Sequence, residues 1–265
     1  MTQGQAQSLS PAALIDSHAH LDFPEFRGRL DAVIERARAA GVERIVSIGT
    51  TYEGALRTLE IAAQYANVSP AAGVHPSYIA EGFARFSDLV KLFETAPFVA
   101  VGETGLDFYR MHAPAEVQET AFRAHIELAL ERNLPVIIHV RDAYEDALRV
   151  LDSLPRTPSG VFHCFSGTVA FAREVIARGF YISFAGQVTF KNADALREVA
   201  AAAPMERILI ETDCPFLAPV PHRGKDNEPA FVRHTAEMIA KVRGMKADAV
   251  AAQTLANTKA LFGFD

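Results

Sequence analysis

The sequence predicts a single-domain (β/α)8 TIM barrel, and three observations carry that reading. Apolar, β-rich runs alternate with amphipathic helical stretches, at roughly 30 residues per unit. The apolar runs are continuous rather than alternating, as strands of a parallel sheet covered on both faces are. The length of 265 residues suits one barrel of about 250 residues. A doubly wound sheet would share the alternation, but it usually carries a glycine-rich first turn, which is missing here.

Residues 1–12 read as a flexible polar extension and 13–265 as the barrel. The first strand, 14–18, runs into Asp16-Ser17-His18-Ala19-His20-Leu21-Asp22. Side chains at i and i+2 of a strand share a face, so His18 and His20 present two imidazoles together. A helix at 30–40 leads to strand two at 44–49, and a helix at 53–66 leads to strand three at 68–74, which ends at His75. Strand four, at 98–102, places Glu103 just beyond its end in Gly102-Glu103-Thr104-Gly105-Leu106-Asp107. A helix at 115–131 precedes strand five at 135–139, which ends in His139 with Arg141 two residues on. After a helix at 142–153, strand six at 160–164 carries His163. Helices at 168–178 and 191–203 flank strand seven at 179–184. Strand eight, at 207–211, is followed by Asp213 in Glu211-Thr212-Asp213-Cys214-Pro215, and helices at 229–243 and 247–262 complete the chain.

Composition sets the bounds. At 49% hydrophobic and 22% charged residues, the chain can bury a large core. A net charge of −6 argues against gripping nucleic acid through a broad basic surface. It leaves room for a protein that meets phosphate through bound cations. Cys164 and Cys214 read as two reduced thiols. The first dozen residues lack the basic and apolar regions of a signal peptide, and no apolar run approaches the roughly 18 residues of a membrane span. These features point to a cytoplasmic protein without a membrane partner.

In a barrel of this kind the active site lies where strands end, and the unusual polar residues fall at those points. Each has an ordinary alternative. His139 and His163 could be hydrogen-bonded core histidines, and Asp213 could cap a helix. Glu103, after a buried apolar run, would have a raised pKa unless a cation kept it ionised. One or two divalent ions would answer all of these desolvation problems together. Six candidates (His18, His20, Glu103, His139, His163 and Asp213) exceed a single tetrahedral site. Two ions sharing a carboxylate fit the count better, with Zn, Mn or Fe(II) suiting the mixed donors more than Mg. Softer candidates are His75 and Arg141 for substrate contact, and Arg223 and Lys225 for phosphate, in the loop after strand eight. His112, His125 and His234 read as surface.

Taken together, the motifs resemble those of the TatD family of metal-dependent deoxyribonucleases, which are TIM barrels of the amidohydrolase-like superfamily. The resemblance rests on Asp16 to Asp22, Gly102-Glu103-Thr104-Gly105-Leu106-Asp107-Phe108-Tyr109, the His139 strand, His163-Cys164-Phe165-Ser166-Gly167, Glu211-Thr212-Asp213 and Arg223-Gly224-Lys225-Asp226-Asn227-Glu228-Pro229. It implies that His18, His20, Glu103 and Asp213 hold one metal, with Glu103 bridging to a second held by His139 and His163. Glutamate stands where many superfamily relatives have a carbamylated lysine, and Ser77 stands where many TatD relatives have a second histidine.

The implied activity is metal-dependent 3′ to 5′ exonucleolytic cleavage of single-stranded DNA, in repair or degradation, with two Mn, Zn or Mg ions per chain. Asp213 and Glu103 are then the catalytic carboxylates, and no obligate protein partner is implied. A small-molecule amide, lactone or phosphoester hydrolase, a D-aminoacyl-tRNA deacylase and a non-enzymatic metal-binding module remain alternatives.

Overall fold

The computed structural model describes residues 12–265. The extension assigned to 1–12 therefore lies outside the described residues, apart from Ala12. Eight parallel strands form one sheet in sequence order: β1 (Leu14–Ala19), β2 (Val42–Gly49), β3 (Val68–Ala72), β4 (Val101–Asp107), β5 (Val136–Arg141), β6 (Gly160–Phe162), β7 (Tyr181–Phe184) and β8 (Ile208–Ile210). The sheet curls until its edges meet. Ala19 bridges Cys214, the Asp213 amide donates to the His18 carbonyl at 2.9 Å, and the His20 amide donates to the Cys214 carbonyl at 2.9 Å. The seam is reinforced by the buried Asp16 carboxylate, which accepts hydrogen bonds from the Thr212 amide (2.9 Å) and hydroxyl (2.5 Å).

Helices α1 (Leu30–Ala39), α2 (Tyr52–Gln64), α3 (Ile79–Gly82), α4 (Phe86–Thr95), α5 (Ala115–Arg132), α6 (Tyr144–Asp152), α7 (Val169–Ala177), α8 (Asp194–Ala202), α9 (Val232–Arg243) and α10 (Ala247–Phe262) surround the sheet. Local chemistry sets their ends. The Thr51 and Thr168 hydroxyls accept from the Gly54 and Phe171 amides at the starts of α2 and α7. Gly244 and Gly263 end α9 and α10 in left-handed conformation.

Strand parity divides the core. Val136, Ile138, Phe162, Ile208 and Ile210 belong to the large cluster packed against the helices. Val46, Ile48, Ile137, Val161 and Leu209, one residue out of phase, form a second cluster inside the barrel. Leu261 and Phe262 of α10 join this inner cluster and close the end opposite the strand termini. Two residues further along the same inner faces come His139 after Ile137, His163 after Val161 and Glu211 after Leu209. The fold thus delivers its polar residues onto a packed apolar floor.

Two sequence-based boundaries need correction. Strand four was placed at 98–102, but β4 spans Val101–Asp107, so Glu103 lies within the strand. The two glycines of this segment serve close strand approach. A Cβ on Gly102 would lie 2.5 Å from the Ile137 carbonyl oxygen, and one on Gly105 would lie 2.0 Å from that of His139. Both residues also have φ values, +146° and +136°, that favour glycine. The second correction is α4, between β3 and β4, which buries Leu89 and Phe93 four residues apart on one face and was not assigned from sequence.

Candidate metal centre

At the strand ends, the Glu103 carboxylate lies buried between two groups of histidines. Its Oε2 faces His18 Nε2 (3.3 Å) and His20 Nε2 (3.6 Å). Asp213 Oδ1 completes this group, 3.8 Å from His18 Nε2 and 3.4 Å from His20 Nε2. Glu103 Oε1 faces His163 Nε2 (2.7 Å), His139 Nδ1 (2.9 Å) and His75 Nε2 (3.2 Å). All six residues read from the sequence as metal ligands therefore converge, and His75 joins them.

Hydrogen bonding on the far side of the His20, His139 and His75 rings fixes their tautomers. His20 Nδ1 lies 3.1 Å from the Ile48 carbonyl, which can only accept, so the proton is on Nδ1 and the Nε2 lone pair points into the site. His139 Nε2 donates to Asp107 Oδ2 at 3.3 Å, leaving its Nδ1 lone pair aimed at Glu103. His163 Nδ1 lies 3.5 Å from Glu211 Oε1, which is itself held by the Cys164 amide (2.7 Å) and the Ser183 hydroxyl through Oε2 (2.6 Å). His75 is the exception. Its Nδ1 accepts from the Ser77 amide at 2.9 Å, so Nε2 carries the proton and donates to Glu103. His75 is thus a hydrogen-bond donor to the carboxylate rather than a lone-pair ligand.

Lone pairs facing carboxylate oxygens at these distances require positive charge between them. Protons are one way to supply it. Burial opposes a charge on His20 and His163, yet Asp213 and Glu103 push His20 up to about 9, and Glu103 with Glu211 raises His163 well above its usual value. Burial alone would raise Glu103, but His163 and His75 outweigh it and hold the carboxylate well below its usual range. A divalent ion meets the same demand through the lone pairs. Donors at about 2.1 Å around a tetrahedral ion are about 3.4 Å apart, and separations here run from 2.7 to 3.8 Å. The donor set fits. His18, His20, Glu103 Oε2 and Asp213 could hold one ion, and Glu103 Oε1, His139 and His163 another. The helix-capping alternative for Asp213 does not apply, because the next turn of helix begins at Pro229.

The profile of a family described as TatD related DNase matches residues 15–263. The chain belongs to the TatD family. It is 43% identical over 253 residues to the uncharacterized metal-dependent hydrolase YabD of Bacillus subtilis (strain 168), covering 94% of this chain and 98% of that one. It is 37% identical over 258 residues to the 3'-5' ssDNA/RNA exonuclease TatD of Erwinia amylovora, covering 94% and 100%. The crystal structure of YJJV, a TatD homolog from Escherichia coli K12, matches with a TM-score of 0.86 at 32% identity, over 94% of this chain and 98% of that one. The chain is therefore a TatD-family metal-dependent hydrolase on a TIM barrel, as the motifs implied.

The TatD-family site opens into a cavity of about 530 Å³ lined by Phe23, Tyr78, Arg110, Arg141, Cys164 and Phe216, among others. Arg141 places its guanidinium carbon 3.9 Å from the centre of the Tyr109 ring. Arg223 and Lys225 do not line this cavity. Arg223 lies over the Phe190 ring at 3.7 Å and donates to the Ala218 carbonyl at 3.4 Å, while Lys225 is exposed. The residues in that motif that fix the loop are Asn227 and Glu228. Asn227 Nδ2 donates to the Thr212 (2.8 Å) and Phe216 (2.6 Å) carbonyls, and Glu228 pairs with Arg36 of α1 at 2.6 Å.

Sequence reasoning left out Asp107, Glu211 and Arg110. Asp107 was visible as an acid in phase with Glu103 on one strand and Glu211 as an acid two residues after Leu209; Arg110 follows no pattern. His125, read as surface, is fully buried: its Nε2 accepts from the Val74 amide at 2.9 Å and its Nδ1 donates to the Ala121 carbonyl at 2.7 Å. His112 is exposed, and His234 is half-buried with its Nε2 3.2 Å from that of His222. Cys164 and Cys214 are free thiols, and no helix among the described residues is long and apolar enough to cross a membrane.

Proposed function

We propose that the chain binds two divalent ions, Mn, Zn or Mg, and hydrolyses phosphodiesters at the 3′ end of single-stranded DNA. The observation that carries the proposal is the division of labour within Glu103, whose two oxygens face separate groups of imidazoles. The relatives named as ssDNA/RNA exonucleases support nucleic acid as the substrate.

Bound dications lower the pKa of water and offset charge on phosphoryl oxygens. The chain's own residues do the rest. The Asp213 carboxylate is held below its usual range by His20 and His18 against the effect of burial, so it is ionised and able to accept the proton of the attacking water. Glu103 stays ionised at the centre. Asp107 and Glu211 hold the His139 and His163 rings with one nitrogen facing the site. Arg110 and Arg141 line the cavity on the β4 and β5 side, where they bind non-bridging oxygens and stabilise the charge that develops on them. This local cation pair explains how an acidic chain can hold a phosphate backbone.

The test uses chelator-stripped protein, 5′-labelled single-stranded DNA, and Mg, Mn and Zn restored one at a time. Metal-dependent shortening from the 3′ end is the expected result. Two ions bound per chain without cleavage of DNA under any metal would overturn the nuclease reading and favour a small-molecule or aminoacyl ester.

A further inference from the structure

Large apolar side chains are exposed unevenly. Tyr78, Tyr109, Met111, Phe216 and Val220 all lie in segments that follow the strand ends, and Tyr78 and Phe216 line the cavity. The most prominent rings, Phe216 at 49% and Tyr109 at 64% exposed, come from the loops after β8 and β4. An exposed ring forgoes the gain of burial, and here neither ring is loose. Phe216 packs edge-to-face on Phe23 (ring centres 5.7 Å apart, 87°), and Phe23 stacks on the candidate ligand His20 (4.9 Å, 26°). Tyr109 has one face covered by the Arg141 guanidinium at 3.9 Å. Each ring is therefore held by a partner that itself lines the site.

The two anchored rings flank opposite halves of the centre. Phe216 and Phe23 stand beside His20 and Asp213. Arg141 and Arg110 line the cavity on the side of His139, which Asp107 of β4 holds, and Tyr109 stands just outside the lining against Arg141. Between them is Glu103. A phosphodiester placed over Glu103 has one nucleoside on each side, and in a single strand both bases have free faces. In a duplex those faces are occupied by neighbouring pairs. Flat hydrophobic rings next to guanidinium groups match a polyanion with aromatic bases better than an aliphatic ester.

We propose that Phe216 and Tyr109 are stacking platforms for the two bases flanking the scissile phosphate, and that they make the site select unpaired strands. This rests on the nuclease reading above and adds the residues that recognise the strand. The platforms tolerate any base, because every base has a π-face.

The experiment compares metal-loaded wild type, Phe216→Ala, Tyr109→Ala and the double variant on two single strands. One is oligothymidine; the other has abasic nucleotides on either side of the scissile phosphate. Wild type should show a KM at least roughly 30-fold higher on the abasic strand, the lower bound for loss of two base–aromatic contacts. The double variant should lose that discrimination, and Phe216→Trp should retain it. Fluorescence anisotropy of labelled oligothymidine on metal-free protein should show a parallel loss of affinity. Equal KM values for the two strands in wild type, or full discrimination in the double variant, would overturn the platforms while leaving the nuclease intact. Absence of DNA cleavage by wild type would overturn both.

Discussion

Glu103 is the residue on which the centre turns. Replacing it by alanine removes the carboxylate that faces both histidine groups, so the variant should retain at most one ion per chain by elemental analysis and lose turnover. Two ions and near-wild-type rates in Glu103→Ala would refute the scheme. His125 provides a separate test, remote from the chemistry. Burial pushes its pKa down from 6.5 to about 4, with the Ala121 carbonyl opposing weakly. It is neutral in the folded chain and binds a proton more readily once unfolded. Its contribution is thus fully present above pH 6.5 and lost as the pH falls through 4. Between pH 7 and 5, urea unfolding of wild type should lose about 2 kcal/mol more than that of His125→Gln; equal losses would reject the assignment. At this scale the ligand positions were legible, because strand parity aligns His18 with His20 and the other candidates follow apolar strand runs. His125 was not, since a helix pattern does not reveal that α5 packs its ring under the Val74 amide.

The loop between β8 and α9 shows how an element can be recognised and its residues misallocated. Arg223 and Lys225 drew attention as cations near a phosphate-binding neighbourhood, but the buried Asn227 holds the loop through the Thr212 and Phe216 carbonyls. Those two carbonyls flank Asp213. Asn227→Ala should therefore destabilise the chain by about 3 kcal/mol, the cost of leaving buried acceptors without donors, and should also raise KM. Denaturant titration and kinetics on the same preparation would check both effects; a stability loss below about 1 kcal/mol would contradict it. β4 was misplaced for a related reason. Its glycines suit both a turn and a tight strand crossing, and only the distance to β5 tells the two apart.

Across the whole molecule, alternation and length were enough to give the barrel, because a parallel strand buried on both faces has a distinctive composition. How the barrel is sealed was not legible, since nothing in the pattern of α10 says that Leu261 and Phe262 turn into the interior. Phe262→Ala should cost about 3–5 kcal/mol in urea unfolding, with KM unchanged in the folded enzyme. Removing bound metal should lower the melting temperature, because ions that bind only the folded chain stabilise it by about 3 kcal/mol at a hundredfold excess over Kd; an identical melting curve after chelation would count against tight binding. The closing seam has a further consequence for biogenesis. Asp16 pairs with Thr212 across 196 positions, and His18, His20 and Asp213 of one candidate ion group are divided between the ends of β1 and β8. A chain emerging from the ribosome cannot complete that group until Asp213 has been made, so this half of the candidate centre waits for the last quarter of synthesis. Ribosome-stalled chains ending before residue 208 should retain fewer ions per chain by elemental analysis than the complete protein, since they lack Asp213.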